Sequence, residues 1–156
     1  MDFIPSIPKG PKRTPDILTG ESPDKTANVQ ASEPRGRKNQ RLGRKGEEAA
    51  VKFLTRRGYD ILERNWKCFA GEVDIIAKDG DCIVFLEVKT RTGYEKGFPS
   101  EAVNGPKRER YEKMALAYLA AYETADIPVR FDVIAIVVVA PDRAVIRHHI
   151  NAFSSL

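Results

Sequence analysis

The first regular pattern along the chain is a set of apolar residues at helical spacing, Ala49, Ala50, Phe53 and Leu54. Residues that recur three and four positions apart lie on one side of a helix, so this segment predicts an amphipathic helix with a buried stripe. The helix is expected to end at Gly58, because glycine readily takes the left-handed conformation that closes many helices.

Three strand-like segments follow, at residues 59–65, 71–77 and 82–90, and Val and Ile are frequent in the second. Residues of this type are favoured in sheets. The second and third segments are separated by Lys78-Asp79-Gly80-Asp81, a turn sequence centred on Asp79-Gly80. An Asp-Gly pair between two apolar segments predicts a β-hairpin.

A helix and two strands are predicted in the second half of the chain. Residues 92–106 are rich in glycine and proline and predict a loop, whereas residues 107–123 carry an apolar stripe and predict a helix. Residues 131–140 are almost entirely apolar, as in a strand buried on both faces, and residues 144–149 predict a last strand. The order helix, three strands, helix, two strands predicts an α/β or α+β fold with a central mixed sheet flanked by helices.

The N-terminal part of the chain differs from the rest in charge and composition. The whole chain of 156 residues carries a net charge of +4, but residues 1–46 hold most of the prolines and a clear excess of basic residues. A segment of this kind, without apolar periodicity, cannot bury enough surface to offset its ordering entropy. We therefore expect a disordered, Pro-rich, basic tail at 1–40, a folded domain at 41–150 and a short C-terminal tail at 151–156.

A basic cluster lies where the expected tail meets the domain, at Arg35, Arg37, Lys38, Arg41, Arg44 and Lys45. Two interpretations are open: solvated charges of a tail, or nonspecific contacts with the phosphates of a nucleic acid. Binding of the second kind would depend steeply on salt, because each phosphate contact releases condensed counterions.

Composition also excludes some classes of protein. The longest apolar run, residues 133–140, is too short to cross a bilayer as a helix, and no apolar segment of a signal peptide follows the N-terminus. Two cysteines, Cys68 and Cys82, cannot form a disulfide framework or a four-cysteine zinc site. We expect a reduced, cytoplasmic protein that does not enter a membrane.

Charged residues in the predicted hairpin are the first candidates for chemistry. Glu87 and Lys89 end the third strand on one face, and Glu72 and Asp74 share a face of the second, although Asp is depleted in strand interiors. Asp74 and Glu87 can lie side by side across the turn after a small register offset, which the sequence does not fix. Two carboxylates held together with an ammonium favour the binding of a hard divalent cation such as Mg²⁺.

Glu47 adds a third acid, because it lies three residues before Ala50 on the helix face that meets the sheet. Taken alone, Glu47 is explained by the helix dipole, and Glu87 and Lys89 by a strand end that reaches solvent. Taken together, Glu47, Asp74, Glu87 and Lys89 can converge on one point. Such convergence favours a single site.

These motifs resemble those of the PD-(D/E)XK nuclease superfamily, and more closely the YraN-like family of predicted endonucleases, which is similar to the archaeal Holliday-junction resolvases. The resemblance covers about residues 41–140 and implies a restriction-endonuclease-like core for the domain. The proline that often precedes the aspartate in the superfamily is replaced here by Val73. The segments that carry the resemblance are residues 43–50, 62–66, 71–77, 84–91 and 130–133.

The resemblance also implies roles for the residues that match. Asp74 and Glu87, with Glu47 as a further ligand, would hold Mg²⁺ or Mn²⁺, and the Val88 carbonyl could add a ligand. Lys89 would hold or help to deprotonate the attacking water. The nucleic-acid contacts expected beside these catalytic residues are Arg91, Lys107, Arg44 and Lys45. Two of these remain open, because Arg91 is also explained as an exposed strand-end charge and Lys107 as ordinary helix surface.

The expected function is therefore that of a metal-dependent phosphodiesterase, an endonuclease acting on DNA that is branched or damaged. Action as a homodimer is expected by analogy with the resolvases. The alternative is a non-catalytic module of the nuclease fold that binds a nucleic acid or a protein partner, and a third, weaker reading is an interaction protein that acts through its tail. Away from the site, Asp132 is expected to belong to a structural network with Arg130, Arg64 or a backbone amide, and His148 and His149 to lie at a sheet edge.

Overall fold

The computed structural model describes residues 34–99, 103–122 and 126–153. The elements are α1 (Arg35–Arg56), β1 (Asp60–Cys68), β2 (Gly71–Asp79), β3 (Cys82–Thr92), α2 (Gly105–Ala121), β4 (Val129–Ala140) and β5 (Arg143–His149). This is the predicted order of a helix, three strands, a helix and two strands. The α+β class with a mixed sheet is thereby confirmed.

The five strands form one sheet in the order β1-β2-β3-β4-β5. Neighbouring strands are antiparallel except for β3 and β4, which are parallel and are connected through α2. A parallel pair needs a crossover connection, and the helix supplies it. The arrangement is consistent with a restriction-endonuclease-like core.

Each helix packs a separate core against one face of the sheet. Ala50 and Leu54 of α1 pack with alternate residues of the strands on one face, and Tyr111, Met114 and Tyr118 of α2 pack on the other. Successive residues of a strand point to opposite faces, so a central strand with a core on each side must be apolar throughout. This explains why β4 is apolar without interruption from Val133 to Ala140.

The structure differs from the sequence expectation at both ends of the domain. Helix α1 begins at Arg35, so residues 35–40 are helical and not part of a tail. Arg, Lys and Gln favour helices without forming an apolar stripe, which is why the pattern missed this part of α1. At the other end, Phe153 is buried and stacks on Phe131, although residues 151–156 were expected to lie outside the domain.

The remaining parts of the two expected tails, residues 1–33 and 154–156, lie outside the described residues. Within the described ranges, neither helix has the length and apolar character that crossing a bilayer requires.

Candidate active site

Asp74 and Glu87 meet where β2 and β3 separate. The ladder between these strands runs from Asp79 opposite Cys82 to Ile75 opposite Leu86, and it stops one pair before the two acids. Asp74 Oδ2 instead accepts the backbone N–H of Val88 at 2.7 Å. The carboxylate thus replaces the next backbone partner and holds the two strand ends together.

The hairpin turn explains why the acids align without the offset that the sequence required. The two turn residues are Gly80 and Asp81, one position later than the predicted centre at Asp79-Gly80. Gly80 has φ +59°, a conformation that glycine takes without the steric penalty of a side chain. With this turn, Asp74 and Glu87 are equally far from its centre.

The regular alternation of β2 is interrupted at Asp74. Val73 packs in the core beneath α2, whereas Ile75, two residues further, packs in the core beneath α1. Residues two apart on a regular strand share a face, so the alternation of side chains between the two faces of the sheet is broken at Asp74. Asp74 is therefore half-buried at the junction of the two cores, and Glu72 is exposed.

The environment of Asp74 is unfavourable for its charged form. Burial raises the pKa of Asp74 to about 6, against a smaller opposing effect from the N–H of Val88. The negative charges of Glu47, Glu87 and Glu72 raise this pKa further. An acid with a raised pKa, surrounded by other carboxylates, is typical of a functional site.

Helix α1 brings Glu47 to this site through a close contact at Gly46. A Cβ atom built on Gly46 would lie 1.8 Å from Thr90 Oγ1 and 2.9 Å from Thr90 Cβ, so glycine allows the helix to pack directly on β3. Glu47 is half-buried and its Oε2 accepts a hydrogen bond from Asn65 Nδ2 at 2.9 Å.

Asn65 is a site residue that sequence reasoning did not single out. Its neighbours Arg64 and Trp66 pair with Ile75 and Val73, which places Asn65 across from Asp74. Asn65 has φ +48°, a left-handed conformation that Asn tolerates better than most residues. This conformation and the hydrogen bond to Glu47 connect β1 to the carboxylate cluster.

Helix α2 contributes Lys107, whose Nζ forms an ion pair with both carboxylate oxygens of Glu87. Lys107 was predicted to contact nucleic acid, and in this structure it contacts the predicted metal ligand. Tyr111 lies one turn further along α2 and is buried. Burial raises the pKa of its hydroxyl, and the nearby charges of Glu87 and Asp74 raise it further.

The two remaining predicted residues of β3 lie beyond Glu87. Lys89 is half-buried, and alternation along the strand gives it the face of Glu87. Arg91 is also half-buried, and its Nη1 donates to the Lys96 carbonyl at 3.0 Å. The guanidinium of Arg91 therefore supports the loop after β3, and a phosphate contact by this residue stays a prediction.

The donor set fits a hard divalent cation by its chemistry, because carboxylate oxygens are the ligands that Mg²⁺ and Mn²⁺ prefer. Within the described parts of the chain, however, no three His, Cys, Asp or Glu side chains form a ready-made metal site. Each predicted ligand has a different partner: Val88 N–H for Asp74, Lys107 for Glu87 and Asn65 for Glu47.

Arg44 and Lys45 are exposed on α1, next to Glu47 in sequence. Lys45 lines a cleft of about 460 Å³ between α1 and the turn from β4 to β5. Arg44 faces an adjoining shallow surface of the same helix. Further basic residues line the cleft, namely Lys38, Arg41, Lys52 and Arg143. The basic cluster thus forms a cationic surface along α1.

A second polar cluster surrounds Asp132 on the α1 side of the sheet. The fully buried carboxylate accepts hydrogen bonds from Arg130, from His148 Nε2 at 2.8 Å and from the Asn151 backbone N–H. Burial alone would raise the pKa of Asp132, but these hydrogen bonds outweigh it and hold the pKa below its usual value. The expected structural network is confirmed for Arg130 and a backbone amide. His148 and His149 lie on β5, an edge strand of the sheet, as expected. The side chain of His148 is nevertheless buried against Asp132, which the sequence did not indicate.

The fold and the site define an α+β protein with a carboxylate cluster at the point where two strands of a mixed sheet separate. By comparison with known sequences, the chain belongs to the uncharacterised protein family UPF0102, whose model matches residues 46–136. This membership confirms the resemblance to the YraN-like family. The match begins at Gly46 and includes Glu47, Asp74, Glu87 and Lys89.

Individual relatives agree with this assignment. A UPF0102 protein of Geobacter sulfurreducens is 46% identical over 115 residues, which are 74% of this chain and 90% of the relative. A UPF0102 protein of Nocardia farcinica is 44% identical over 109 residues, 70% of this chain and 86% of the relative. One from Geobacter metallireducens is 51% identical over 98 residues, 63% of this chain and 80% of the relative.

Proposed function

We propose that this protein is a metal-dependent endonuclease of the PD-(D/E)XK superfamily, similar to the archaeal Holliday-junction resolvases, and that it cuts branched or damaged DNA. The observation that carries the proposal is the convergence of three acids from different elements. Asp74 of β2 is close enough to Glu47 of α1 and Glu87 of β3 for their charges to raise its pKa. The mutual repulsion of these carboxylates is unfavourable for folding unless a cation binds there.

Asp74, Glu87 and Glu47 would hold Mg²⁺ or Mn²⁺. A bound ion of this type polarises a phosphoryl oxygen and lowers the pKa of a coordinated water. Lys89, on the same strand face as Glu87, would orient the attacking water and stabilise the negative charge that develops on the phosphate. Asn65 would keep Glu47 directed at the site through its hydrogen bond.

The cationic surface of α1 supports a nucleic acid as the substrate. Arg44 and Lys45 directly precede Gly46 and Glu47. A nucleic-acid strand with one phosphodiester at the carboxylates would therefore run along this helix. From Lys38 to Lys45 the helix advances by about 10 Å, enough to contact more than one phosphate of a strand. Contacts of this kind position the backbone and do not read the base sequence.

One observation favours the alternative of a non-catalytic nuclease-fold module. Glu87 is already neutralised by Lys107, and within the described ranges the carboxylates do not form a preassembled metal site. A module of this kind would bind a nucleic acid or a protein without needing a divalent ion.

A cytoplasmic location and action as a homodimer are further parts of the proposal. Both Cys68 and Cys82 are free thiols, as expected in a reducing compartment. Symmetric cutting of two strands at a junction would require two copies of the site.

Cleavage assays test the proposal directly. The purified full chain would be incubated with labelled four-way junction, flap, duplex and single-stranded DNA in Mg²⁺, Mn²⁺ or EDTA. Asp74→Asn keeps the shape and an oxygen acceptor for Val88 N–H, so it should fold and lose cleavage. Asp81→Asn changes an exposed turn acid in the same way and should cut like the wild type.

Metal-dependent cutting that is absent from Asp74→Asn and retained by Asp81→Asn would support the endonuclease. Equal cutting by all three proteins would indicate a contaminating nuclease and refute the assignment of the site. DNA binding that persists in EDTA, without cutting of any substrate, would favour the non-catalytic module.

A further inference from the structure

The ion pair between Lys107 and Glu87 lies inside the carboxylate cluster and not on the open surface. Their side chains are 20% and 19% exposed, and Lys107 Nζ contacts both oxygens of Glu87. An ammonium in this place uses the same oxygen atoms that a metal ion would need.

The first turn of α2 is built to hold Lys107 there. Asn104 caps the helix, and its Oδ1 accepts the Lys107 backbone N–H at 3.1 Å, while Pro106 occupies one of the first helical positions. One turn later, buried Tyr111 packs near the charges of Glu87 and Asp74. The backbone at the start of α2 is therefore fixed against the carboxylate cluster, whereas the long side chain of Lys107 can change its conformation.

We propose that Lys107 is the resident counterion of Glu87 in the metal-free protein, and that a divalent cation binds at Asp74 and Glu87 by displacing this ammonium. The inference rests on the proposed function for the identity of the cation. The released ammonium stays at the edge of the site, where it contacts a phosphate of the bound nucleic acid. Lys107 thereby links metal binding to substrate binding.

The chemistry of the lysine side chain suits this exchange. A compact ammonium on a flexible four-carbon stem makes single contacts and can move to a new partner, whereas a guanidinium binds a carboxylate by a rigid two-pronged contact. Displacement is also favoured by charge, because an ammonium and a divalent ion on the same oxygens repel each other. Replacing Lys107 by methionine or by arginine should therefore change metal affinity in opposite directions.

Mn²⁺ titrations of the full chain by calorimetry test this difference. Lys107→Met should bind Mn²⁺ about tenfold more tightly than the wild type, within the range of about 5- to 150-fold that couplings between sites usually reach. Lys107→Arg keeps the positive charge and should bind Mn²⁺ more weakly. Lys113→Met removes an exposed charge from the same helix and should stay within about twofold of the wild type.

Chemical labelling of amines in the wild-type chain gives a second test that needs no variant. Lys107 should react slowly with an acylating reagent in EDTA and faster in saturating Mg²⁺, as measured by mass spectrometry, while Lys113 reacts equally in both. In Glu87→Gln, labelling of Lys107 should already be fast in EDTA. A purely structural lysine would show no response to Mg²⁺.

Unchanged labelling in Mg²⁺, equal Mn²⁺ affinity of Lys107→Met and Lys113→Met, or no Mn²⁺ binding by any variant would overturn the inference. These outcomes are separable from the cleavage result. DNA cutting by the wild type with unchanged labelling of Lys107 would leave the endonuclease standing without the exchange. Tighter Mn²⁺ binding by Lys107→Met in a protein that cuts no DNA would leave the exchange standing without the endonuclease.

Discussion

The contact between Gly46 and Thr90 allows a stability test that is independent of any activity. In Gly46→Ala the new methyl group would lie 1.8 Å from Thr90 Oγ1 and 2.9 Å from Thr90 Cβ. Rotation about χ1 moves Oγ1 but leaves Cβ in place, so the overlap cannot be removed by a new rotamer. Helix α1 must therefore move away from β3.

The size of the effect follows from two opposing contributions. Alanine is favoured over glycine inside a helix by about 1 kcal/mol. Overpacking of a well-packed interface costs about 1–3 kcal/mol, and the very short distances here place Gly46→Ala at or above the upper end. We expect a net loss of about 2 kcal/mol, which for a chain of this size lowers the melting temperature by roughly 6 °C.

Urea unfolding of Gly46→Ala tests the prediction, and three further variants serve as controls. Gly43→Ala lies on the same helix, and its new Cβ has no neighbour within 4 Å in the described part of the chain, so it should stabilise the protein by up to about 1 kcal/mol. Thr90→Ala removes a buried Oγ1 that has no hydrogen-bond partner among the described residues, so little polar interaction is lost. The double variant Gly46→Ala/Thr90→Ala should recover part of the loss, because it removes Oγ1 but keeps the Cβ at position 90 that lies 2.9 Å away.

A Gly46→Ala protein as stable as the wild type would refute the close packing of α1 on β3. A double variant that shows no recovery would contradict the contact with Thr90 Oγ1, the shortest of the overlaps. If the reasoning holds, the same displacement moves Glu47 relative to Asp74, and Gly46→Ala should lose metal affinity together with stability.

Three further predictions concern charge. Burial raises the pKa of Asp74 to about 6 in the metal-free protein. The free energy of unfolding of the protein should therefore fall as the pH rises from about 4 to 6. At pH 8, Asp74→Asn should then be about 1–3 kcal/mol more stable than the wild type in urea unfolding. Replacing Arg44 and Lys45 by alanine should reduce the slope of log affinity for duplex DNA against log salt by about 0.9 per residue, whereas Lys113→Ala should not. Asp132→Ala should cost about 3–5 kcal/mol in urea unfolding, because it leaves the half-buried guanidinium of Arg130 without its main partner.

Each of these predictions has a clear contrary result. In the unfolded chain the Asp74 carboxyl loses its proton near its ordinary pKa, whereas in the folded protein it keeps the proton to higher pH, so the wild type should lose stability as the pH rises. If the wild type instead gained stability between pH 4 and 6, and Asp74→Asn did not, the burial argument would be contradicted. An unchanged salt slope would exclude α1 from the DNA interface. A loss below about 1 kcal/mol in Asp132→Ala would show that the network contributes little to stability.

The order of helices and strands could be predicted from the sequence because apolar residues recur at helical spacing in the helices and alternate or run continuously in the strands. Alternation along β2 and β3 was enough to place Asp74, Glu87 and Lys89 on neighbouring strands. The alignment of the two acids was not predictable, since it depends on a turn at Gly80–Asp81 that differs by one residue from the Asp-Gly signal. Register is a property of the paired strands and not of either strand alone.

Two partners within the site were invisible to sequence reasoning for different reasons. The left-handed conformation of Asn65 has no sequence marker other than the tolerance of Asn for it. The contact of Lys107 with Glu87 depends on how α2 docks against the sheet, so a pair twenty positions apart gave no local pattern. The burial of His148 was not predictable, because alternation gives the face of a residue but not what covers that face.

The crossover through α2 also has a consequence for the order of folding. Strands β1, β2 and β3 follow one another through short turns, so Asp74 and Glu87 come together through local contacts, which form early. Glu87 pairs with Val133 of β4, and gains Lys107 as its partner, only when the chain has closed over the helix. The acidic hairpin is therefore expected to form before Lys107 reaches Glu87, and neutralising either acid should speed the folding of the chain.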